Sequence, residues 1–553
     1  MLSRHPRVQA AVSISTLAIV LAVSLTMLFI VDIVGPQVMH VGGWQAPIGI
    51  VLVQDRLAAL MLVISAIVTL SVLIYSVGQG MADGDEETPV SIFHPTYLIL
   101  AAGVANAFVS GDLFNLYVGF EILLAASYVL LTLGGTASRV RAGMTYVVVS
   151  LLSSLIFLAA IGMIYGATGT VNLAQLSMRI AELPLDTQHL LHIMLLLAFG
   201  IKAAIFPLSF WLPDSYPTAP APVTAVFAGL LTKVGIYAII RTETVLFPDS
   251  DFGMPLMILS LLTMLVGILG AIAQFDLKRL LSFTLVSHIG YMLFGIALGT
   301  QIGLNAAIYY VIHHITVQTT LFLGTGLVER LGGSASLRRL GGLAKFSPVL
   351  AILFFIPAMN LAGIPPFSGF LGKLGLFQAG VDVGTPLAYL LVAGGALTSL
   401  LTLYAIGRVW NFAFWRSPAD AEEPEDGLVE LMKEHEAAKR PDGAKPSSRT
   451  EVVASEAGVG VEAVKRFRAA EAAENIPSSL AVAEGVGSDS PVSNPDTIGQ
   501  RLPKTMVGST AAMVVVSILL TVFAGPLYGV SERAAAGLDG AAAYVEAVFG
   551  GPT

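Results

Sequence analysis

The chain contains no cysteine, and only 12% of its 553 residues are charged. Without cysteine it offers no disulfide, no thiolate zinc site and no iron–sulfur ligand, so any redox chemistry must occur in another subunit. It also lacks the G-x-x-x-x-G-K-[ST] pattern with which P-loop pumps hold ATP. We therefore predict neither a cofactor nor a metal site, and an ion gradient is the favoured energy source.

Long apolar runs dominate the rest. Hydrophobic residues make up 55% of the chain, and the mean hydropathy is +0.80. Because runs of roughly 18 or more apolar residues cross a bilayer as helices, we predict an all-α polytopic membrane protein with about thirteen spans. The predicted spans are 9–34, 53–77, 93–110, 113–134, 139–167, 188–209, 219–241, 253–274, 277–299, 301–329, 347–380, 385–415 and 505–528.

Basic residues indicate the orientation, since loops rich in Lys and Arg stay on the cytoplasmic side. They cluster in alternate loops, at Arg4, Arg7, Arg139, Arg141, Lys278, Arg279, Arg330, Arg338, Arg339 and Lys345. This pattern predicts a cytoplasmic N-terminus. The run 9–34 is too long for a signal peptide and lacks an A-x-A-like cleavage site, so we interpret it as a retained span.

Residues 416–504 change abruptly to Glu, Ala, Ser, Pro and Gly and hold most of the net negative charge. Such a composition predicts an acidic cytoplasmic loop that is partly disordered, with short helices near 427–440 and 461–474. The favoured interpretation is a tolerated insertion. A docking surface for a partner is the alternative.

Four ionisable residues each lie inside a long apolar stretch of the chain: Glu121, Lys202, Lys233 and Lys373. A charge at bilayer depth costs at least ~2.5–3.5 kcal/mol on insertion scales, so such residues usually face a hydrated interior and handle ions. These four indicate a path for protons or cations.

Prolines interrupt two of the lysine-bearing spans, in GIKAAIFPLSFWLP (200–213) and LAGIPPFSGFLGK (361–373). A proline frees backbone carbonyls inside the membrane, and matched breaks in two halves are typical of inverted-repeat transporters. We predict two inverted five-helix repeats, 93–241 and 253–415, each with a broken helix, between N-terminal helices in 1–92 and a C-terminal helix and tail in 505–553. Prolines that only kink packed helices are the alternative.

Four stretches now reveal a resemblance: VGGWQAPIGIVLVQD (41–55), FHPTYLILAAGVANAFVSGDLFNLYVGFEILLAASYVLL (93–131), FGIKAAIFPLSFWLPDSYPTAPAPVTAVFAGLLTKVGIY (199–237) and LAGIPPFSGFLGK (361–373). They closely resemble the D-subunit family of Mrp-type multisubunit cation/proton antiporters, which is similar to the antiporter-like, proton-translocating subunits of respiratory complex I. The resemblance covers nearly everything outside 416–504.

The resemblance implies a role for each membrane charge. Glu121 matches the family's glutamate, which pairs with the lysine of the first broken helix, here Lys202, as a switch. Lys233 matches the central lysine of a relay along the membrane plane, and Lys373 matches its terminal station. A fixed Glu121–Lys202 ion pair, and a Lys233 that snorkels from a helix end, are the alternatives.

The family also has histidines between these lysines, and His288, His313 and His314 match them. Histidine titrates near neutral pH, as a relay requires, although a lone buried histidine is often a packing residue. Two features depart from the family. Gln318 occupies a position where many relatives have lysine, and the chain begins where relatives have their second hydrophobic helix.

The sequence thus predicts one subunit of a sodium/proton antiporter, or of an antiporter for another monovalent cation, in the cell membrane, not an enzyme. Its predicted partners are other hydrophobic subunits, protons, the cation and the lipid bilayer, with no nucleic acid. The first alternative is a proton-pumping subunit of a complex I-type or membrane-bound hydrogenase complex. The second is a structural subunit that only scaffolds a pump.

Overall fold

The computed structural model describes residues 5–79, 90–438 and 502–550. The chain divides into two compact units, residues 1–429 with 493–553, and residues 430–492. In the second unit, the described residues 430–438 are helical. They complete the helix Asp426–Ala438, where the sequence predicts one over 427–440. The helix predicted near 461–474 lies outside the described residues.

Within the described residues of the first unit, the regular structure is helical apart from one small hairpin. Its first helices are α1 (Pro6–Val34), α2 (Arg56–Gln79), α3 (Val90–Val109), α4 (Leu113–Thr132), α5 (Ala137–Thr168), α6 (Leu173–Ala181), α7 (Leu185–Ala203), α8 (Trp211–Ser215) and α9 (Ala221–Leu246). Strands β1 (Gln37–His40) and β2 (Val51–Gln54) pair in antiparallel register, with Gln37 opposite Gln54.

The chain continues with α10 (Gly253–Ile272), α11 (Leu277–Ala297), α12 (Gln301–Gly332), α13 (Leu343–Phe346), α14 (Pro348–Ala362), α15 (Ser368–Val383), α16 (Pro386–Val409), α17 (Asp426–Ala438), α18 (Lys504–Val522), α19 (Ala524–Ala536) and α20 (Ala542–Phe549). Among the described residues, eleven helices are long and apolar enough to cross a membrane. The fold class, an all-α polytopic membrane protein, is therefore confirmed.

Two predicted spans are absent from those eleven, and both contain the predicted breaks. The run 188–209 ends as a helix at Ala203, where Ala204 adopts a left-handed conformation with φ 60°. The run 347–380 splits into α14 and α15 around Gly363, φ 83°. Hydropathy predicts one span for each run, because it does not depend on the direction of the backbone. The prolines indicate where the helical hydrogen bonds stop.

The most polar of these spans, α12, is also among the most deeply buried. In α12 the most apolar 18-residue stretch has a mean hydropathy of only 1.2, yet all of it is buried, whereas in α1 it reaches 2.7 with 17% buried. The corresponding stretch of α9 is also fully buried, and that of α11 is 94% buried. Apolar side chains are solvated equally well by lipid and by protein, whereas polar side chains are costly in contact with lipid. An interior position therefore stabilises mainly the polar side chains. These three central helices contain Lys233 and the three predicted relay histidines.

Candidate functional site

The first cluster joins Glu121 on α4 to Lys202 on α7 through Ser154 on α5. Nζ of Lys202 donates to Oγ of Ser154 at 3.1 Å and to the backbone carbonyl of Ser150 at 3.3 Å. The Ser154 hydroxyl donates in turn to Oε1 of Glu121. No direct ion pair within 4.0 Å joins Glu121 to Lys202, so the pairing that the family resemblance implies runs through a serine.

The broken helix places Lys202 at the end of a helix. Lys202 is in the last turn of α7, where helical carbonyls lack helical partners and favour a nearby cation. Its ammonium lies 5.7 Å from the centre of the Phe120 ring. A small cavity of about 10 Å³, lined in part by Lys202, Ser150 and Tyr146, adjoins it, with room for about one water molecule.

Lys233 on α9 is fully buried, and its Nζ donates to the carbonyl oxygen of Ala228 at 2.5 Å. Residues Phe227–Leu231 form a π-helical turn, which breaks the regular hydrogen bonds of the helix just before this lysine. A Cβ on Gly235 would approach the backbone nitrogen of Ala203 to 2.7 Å. The absence of a side chain there lets α9 pack directly against the end of α7, which places Lys233 and Lys202 on touching helices.

The three histidines form one buried group between α11 and α12. The rings of His288 and His314 stack with centroids 5.0 Å apart. The Tyr310 hydroxyl lies 2.7 Å from Nδ1 of His288, and its ring lies 5.3 Å from that of His313. Each histidine side chain is at most 1% exposed. The structure therefore brings together all three histidines that the sequence selects.

The group continues to the second broken helix. Nδ1 of His313 lies 3.0 Å from the hydroxyl of Ser368 on α15, which donates to Oδ1 of Asn360 on α14 at 3.3 Å. Nζ of Lys373 donates to the carbonyl oxygens of Leu361 and Ala362, both at 3.1 Å. These carbonyls belong to the last turn of α14, so the end of that helix binds the ammonium of Lys373.

Several buried polar atoms along this route have no hydrogen-bond partner among the described residues. They are Nε2 of His288 and His313, both ring nitrogens of His314, and Oε1 of Gln318. Buried polar atoms are almost always paired, with protein or with ordered water, because leaving them unpaired costs free energy. A row of such atoms between Lys233 and Lys373 is suited to hydration.

Sequence reasoning missed some of these contacts. Ser154 follows Ser150 by four residues on α5, so the two lie on the same face of the helix. That spacing is the sequence signal that could have identified Ser154. Asn360 and Ser368 flank the Pro365–Pro366 break, and polar residues beside a broken helix were a second signal. The side chain of Gln318 donates to the carbonyl oxygen of Leu281 at 2.7 Å.

The chain is similar to known proteins over most of its length. The family model described as NADH:quinone oxidoreductase/Mrp antiporter, TM matches residues 110–402. A protein named as the D subunit of a Na(+)/H(+) antiporter from Alkalihalophilus pseudofirmus is 42% identical over 424 residues, 76% of this chain and 85% of its own length. The protein of the same name from Bacillus subtilis is 42% identical over 393 residues, 70% of this chain and 78% of its own.

Solved structures share the fold. A chain in the structure of the Mrp complex from Dietzia sp. matches with a TM-score of 0.80 and 34% identity, covering 99% of this chain and 95% of that one. A chain of respiratory complex I from Thermus thermophilus matches with a TM-score of 0.70 but 22% identity, over 96% of this chain and 95% of that one, which shows the fold alone. With more than half of its length matched by the family model, the chain belongs to the NADH:quinone oxidoreductase/Mrp antiporter family.

Proposed function

We propose that this protein is the proton-translocating subunit of a multisubunit antiporter that exchanges sodium, or another monovalent cation, for protons across the bacterial plasma membrane. One observation carries the proposal: Lys202, Lys233, the three histidines and Lys373 are all buried on helices that contact one another in turn. Among the described residues, Lys233 and Lys373 have backbone carbonyls as their hydrogen-bond acceptors. A buried lysine without a carboxylate partner gives up its proton readily, which suits a transfer station.

The first step is a switch at Glu121. While Ser154 connects the carboxylate to Lys202, the negative charge stabilises the protonated amine. Rotation of the Ser154 hydroxyl, or protonation of Glu121, weakens that stabilisation and lets Lys202 pass a proton on. A hydroxyl bridge can break by rotating about one bond, so it switches with less motion than a direct ion pair.

The relay then runs through the central helices. We place Lys233 next, followed by the stacked pair His314 and His288 with Tyr310, and then His313 and Ser368 before Lys373. Water at the unpartnered ring nitrogens would join the stations, since protons move along hydrogen-bonded chains. Histidine suits these positions because either ring nitrogen can accept or donate.

Two inverted five-helix repeats, 93–241 and 253–415, would account for the paired breaks. Supporting observations lie at equivalent places in the two halves. Asp112 caps α4 and bridges to Asn172, and Asp276 caps α11 and bridges to Ser336. An odd number of helices in each unit places the second copy upside down.

The Mrp-type assignment is favoured over the complex I-type alternative by sequence identity: 42% to the two antiporter relatives against 22% to the complex I chain. The names of these relatives, and the structure of an Mrp complex, support partners that are other membrane subunits. We propose that the N-terminus and residues 416–504 face the cytoplasm, on the evidence of the basic loops.

The direct test is Glu121→Gln beside Lys202→Ala in the assembled complex. Each removes one side of the switch, so each should abolish sodium-driven proton movement in everted vesicles, while native gels show normal assembly. Near-parental exchange by assembled Glu121→Gln would overturn the switch. Parental exchange by both Lys202→Ala and Lys233→Ala would instead favour a purely structural subunit.

A further inference from the structure

A buried acid–histidine pair lies between the two helices that bear Lys202 and Lys233. Nε2 of His192 on α7 lies 2.5 Å from Oε1 of Glu243 on α9, and the two side chains are 1% and 12% exposed. His192 precedes Lys202 on α7, and Glu243 follows Lys233 on α9, each by ten residues. At 1.5 Å per residue each is about 15 Å along its helix from the lysine.

The surroundings of His192 hold its ring in place. The Phe247 ring stacks on it at 4.3 Å, and the Phe252 ring meets it edge-on at 4.8 Å. Nδ1 is buried without a hydrogen-bond partner among the described residues. One ring nitrogen therefore contacts a carboxylate while the other remains available, the arrangement that a proton shuttle requires.

The other charged groups near His192 and Glu243 are either paired or accessible to solvent. Arg241 is engaged by both oxygens of Asp55, at 2.6 and 2.7 Å, and Arg179 of α6 donates to the carbonyl oxygen of Thr168. The remaining titratable groups lie at or just before the start of α7 and on the loop between α9 and α10. They are half-buried or exposed to solvent: His189, Glu182, Asp186, Asp249 and Asp251. The Ser250 hydroxyl, in the same loop, donates to Oε2 of Glu243 at 3.3 Å.

Between the pair and the lysines the two helices present buried apolar side chains, among them Leu195, Phe199 and Ile239. Protons do not cross such a layer unless water enters it. The layer would therefore hold the lysines apart from the bulk solution between transfers and limit leak.

We propose that His192 and Glu243 form the proton-exchange station of the outer face, loading protons that then reach Lys202 and Lys233 along the α7–α9 interface. This rests on the proposed function and its orientation. Glu243 takes a proton from the external solution beside Asp249 and Asp251 and passes it to Nε2 of His192, and the ring releases the proton held on Nδ1 to water entering the apolar layer.

The test measures exchange against external pH in right-side-out vesicles, with internal pH fixed and sodium saturating. His192→Gln and Glu243→Gln should each raise the external proton concentration for half-maximal exchange at least about tenfold, with the KM for sodium unchanged. His189→Gln, one turn away on the same helix and edge-on to Phe252, is the matched control and should keep the parental profile. Ser250→Ala is a milder variant that should shift the profile in the same direction.

A parental profile in assembled His192→Gln or Glu243→Gln would overturn the station. The station would also be overturned if the shift appeared only when internal pH is varied at a fixed external pH. If neither glutamine variant assembles, an unchanged profile in Ser250→Ala overturns it instead. Lys202→Ala separates the two claims. If exchange persists in Lys202→Ala, the proposed function is contradicted. If Lys202→Ala abolishes exchange while His192→Gln keeps the parental pH profile, only the outer station is contradicted.

Discussion

At the scale of single residues, Ser154 joins the two members of the predicted pair, Glu121 and Lys202. The sequence and the family resemblance select Glu121 and Lys202, because charged side chains stand out in apolar spans. Ser154 does not stand out, because small hydroxyl residues are common between membrane helices. Only the packing of α4, α5 and α7 shows that this serine lies between the two charges.

Ser154→Ala therefore tests the bridge itself. Loss of the hydroxyl leaves Glu121 and Lys202 unconnected, and we expect exchange to fall by about tenfold or more, the effect of removing one charge-assisted hydrogen bond of ~1.5–3 kcal/mol. Sodium-dependent proton movement in everted vesicles is the measurement.

Ser153→Ala provides the matched control. Ser153 is adjacent on α5, but its hydroxyl donates to the backbone carbonyl of Ala198 at 2.9 Å and touches neither charge. Equal losses in the two variants would mean that α5 packing, and not the bridge, limits exchange.

At the scale of elements, the two helix breaks were predictable and the π-helical turn was not. Pro207 and the Pro365–Pro366 pair lie where hydrogen bonding must stop, so the sequence locates both interruptions. The turn Phe227–Leu231 contains no proline, and tertiary packing determines it. The three histidines of the predicted relay were selected by their place between Lys233 and Lys373 in the sequence and by the family resemblance, but their stacking depends on how α11 and α12 pack.

Gly235→Ala tests the contact between α9 and the end of α7. A methyl group there would meet the backbone of Ala203 at 2.7 Å, so the helices must separate. Overpacking of this kind costs typically about 1–3 kcal/mol. We expect a lower thermal stability of the purified complex and slower exchange.

Gly162→Ala on α5 is the control, because a Cβ there meets nothing within 4 Å. It should leave both stability and exchange unchanged. If Gly235→Ala also behaves like the parent, α7 and α9 can adjust, and the close approach does not set the positions of Lys202 and Lys233.

At the scale of the whole molecule, exposed ion pairs hold the described start of the acidic segment 416–504. Arg339 pairs with Glu423 and Glu425, both at 3.3 Å, so the start of the acidic segment is attached to the loop after α12. These exposed pairs contribute little to stability, since surface ion pairs are typically worth under about 1 kcal/mol. The membrane charges, in contrast, all lie in the buried interior or at its edge.

Deletion of residues 440–495 should therefore leave most exchange intact, because the deleted sequence contains none of the relay residues and keeps the Arg339 contacts. Exchange normalised to assembled complex on native gels is the measurement. Complete loss of transport in an assembled deletion would show that the segment is a gate or a docking surface.

The central claim is that protons cross this subunit along a buried row that ends at Lys373. The most direct measurement is cation-driven proton movement in everted vesicles bearing Lys373→Ala, compared with Lys345→Ala, which removes an exposed lysine. We predict that Lys373→Ala assembles and stops turnover, that Lys373→Glu keeps part of the activity with a shifted pH optimum because glutamate also titrates, and that Lys345→Ala transports like the parent. Parental transport by Lys373→Ala across the pH range would contradict the account and would place the exit near His313 and His314.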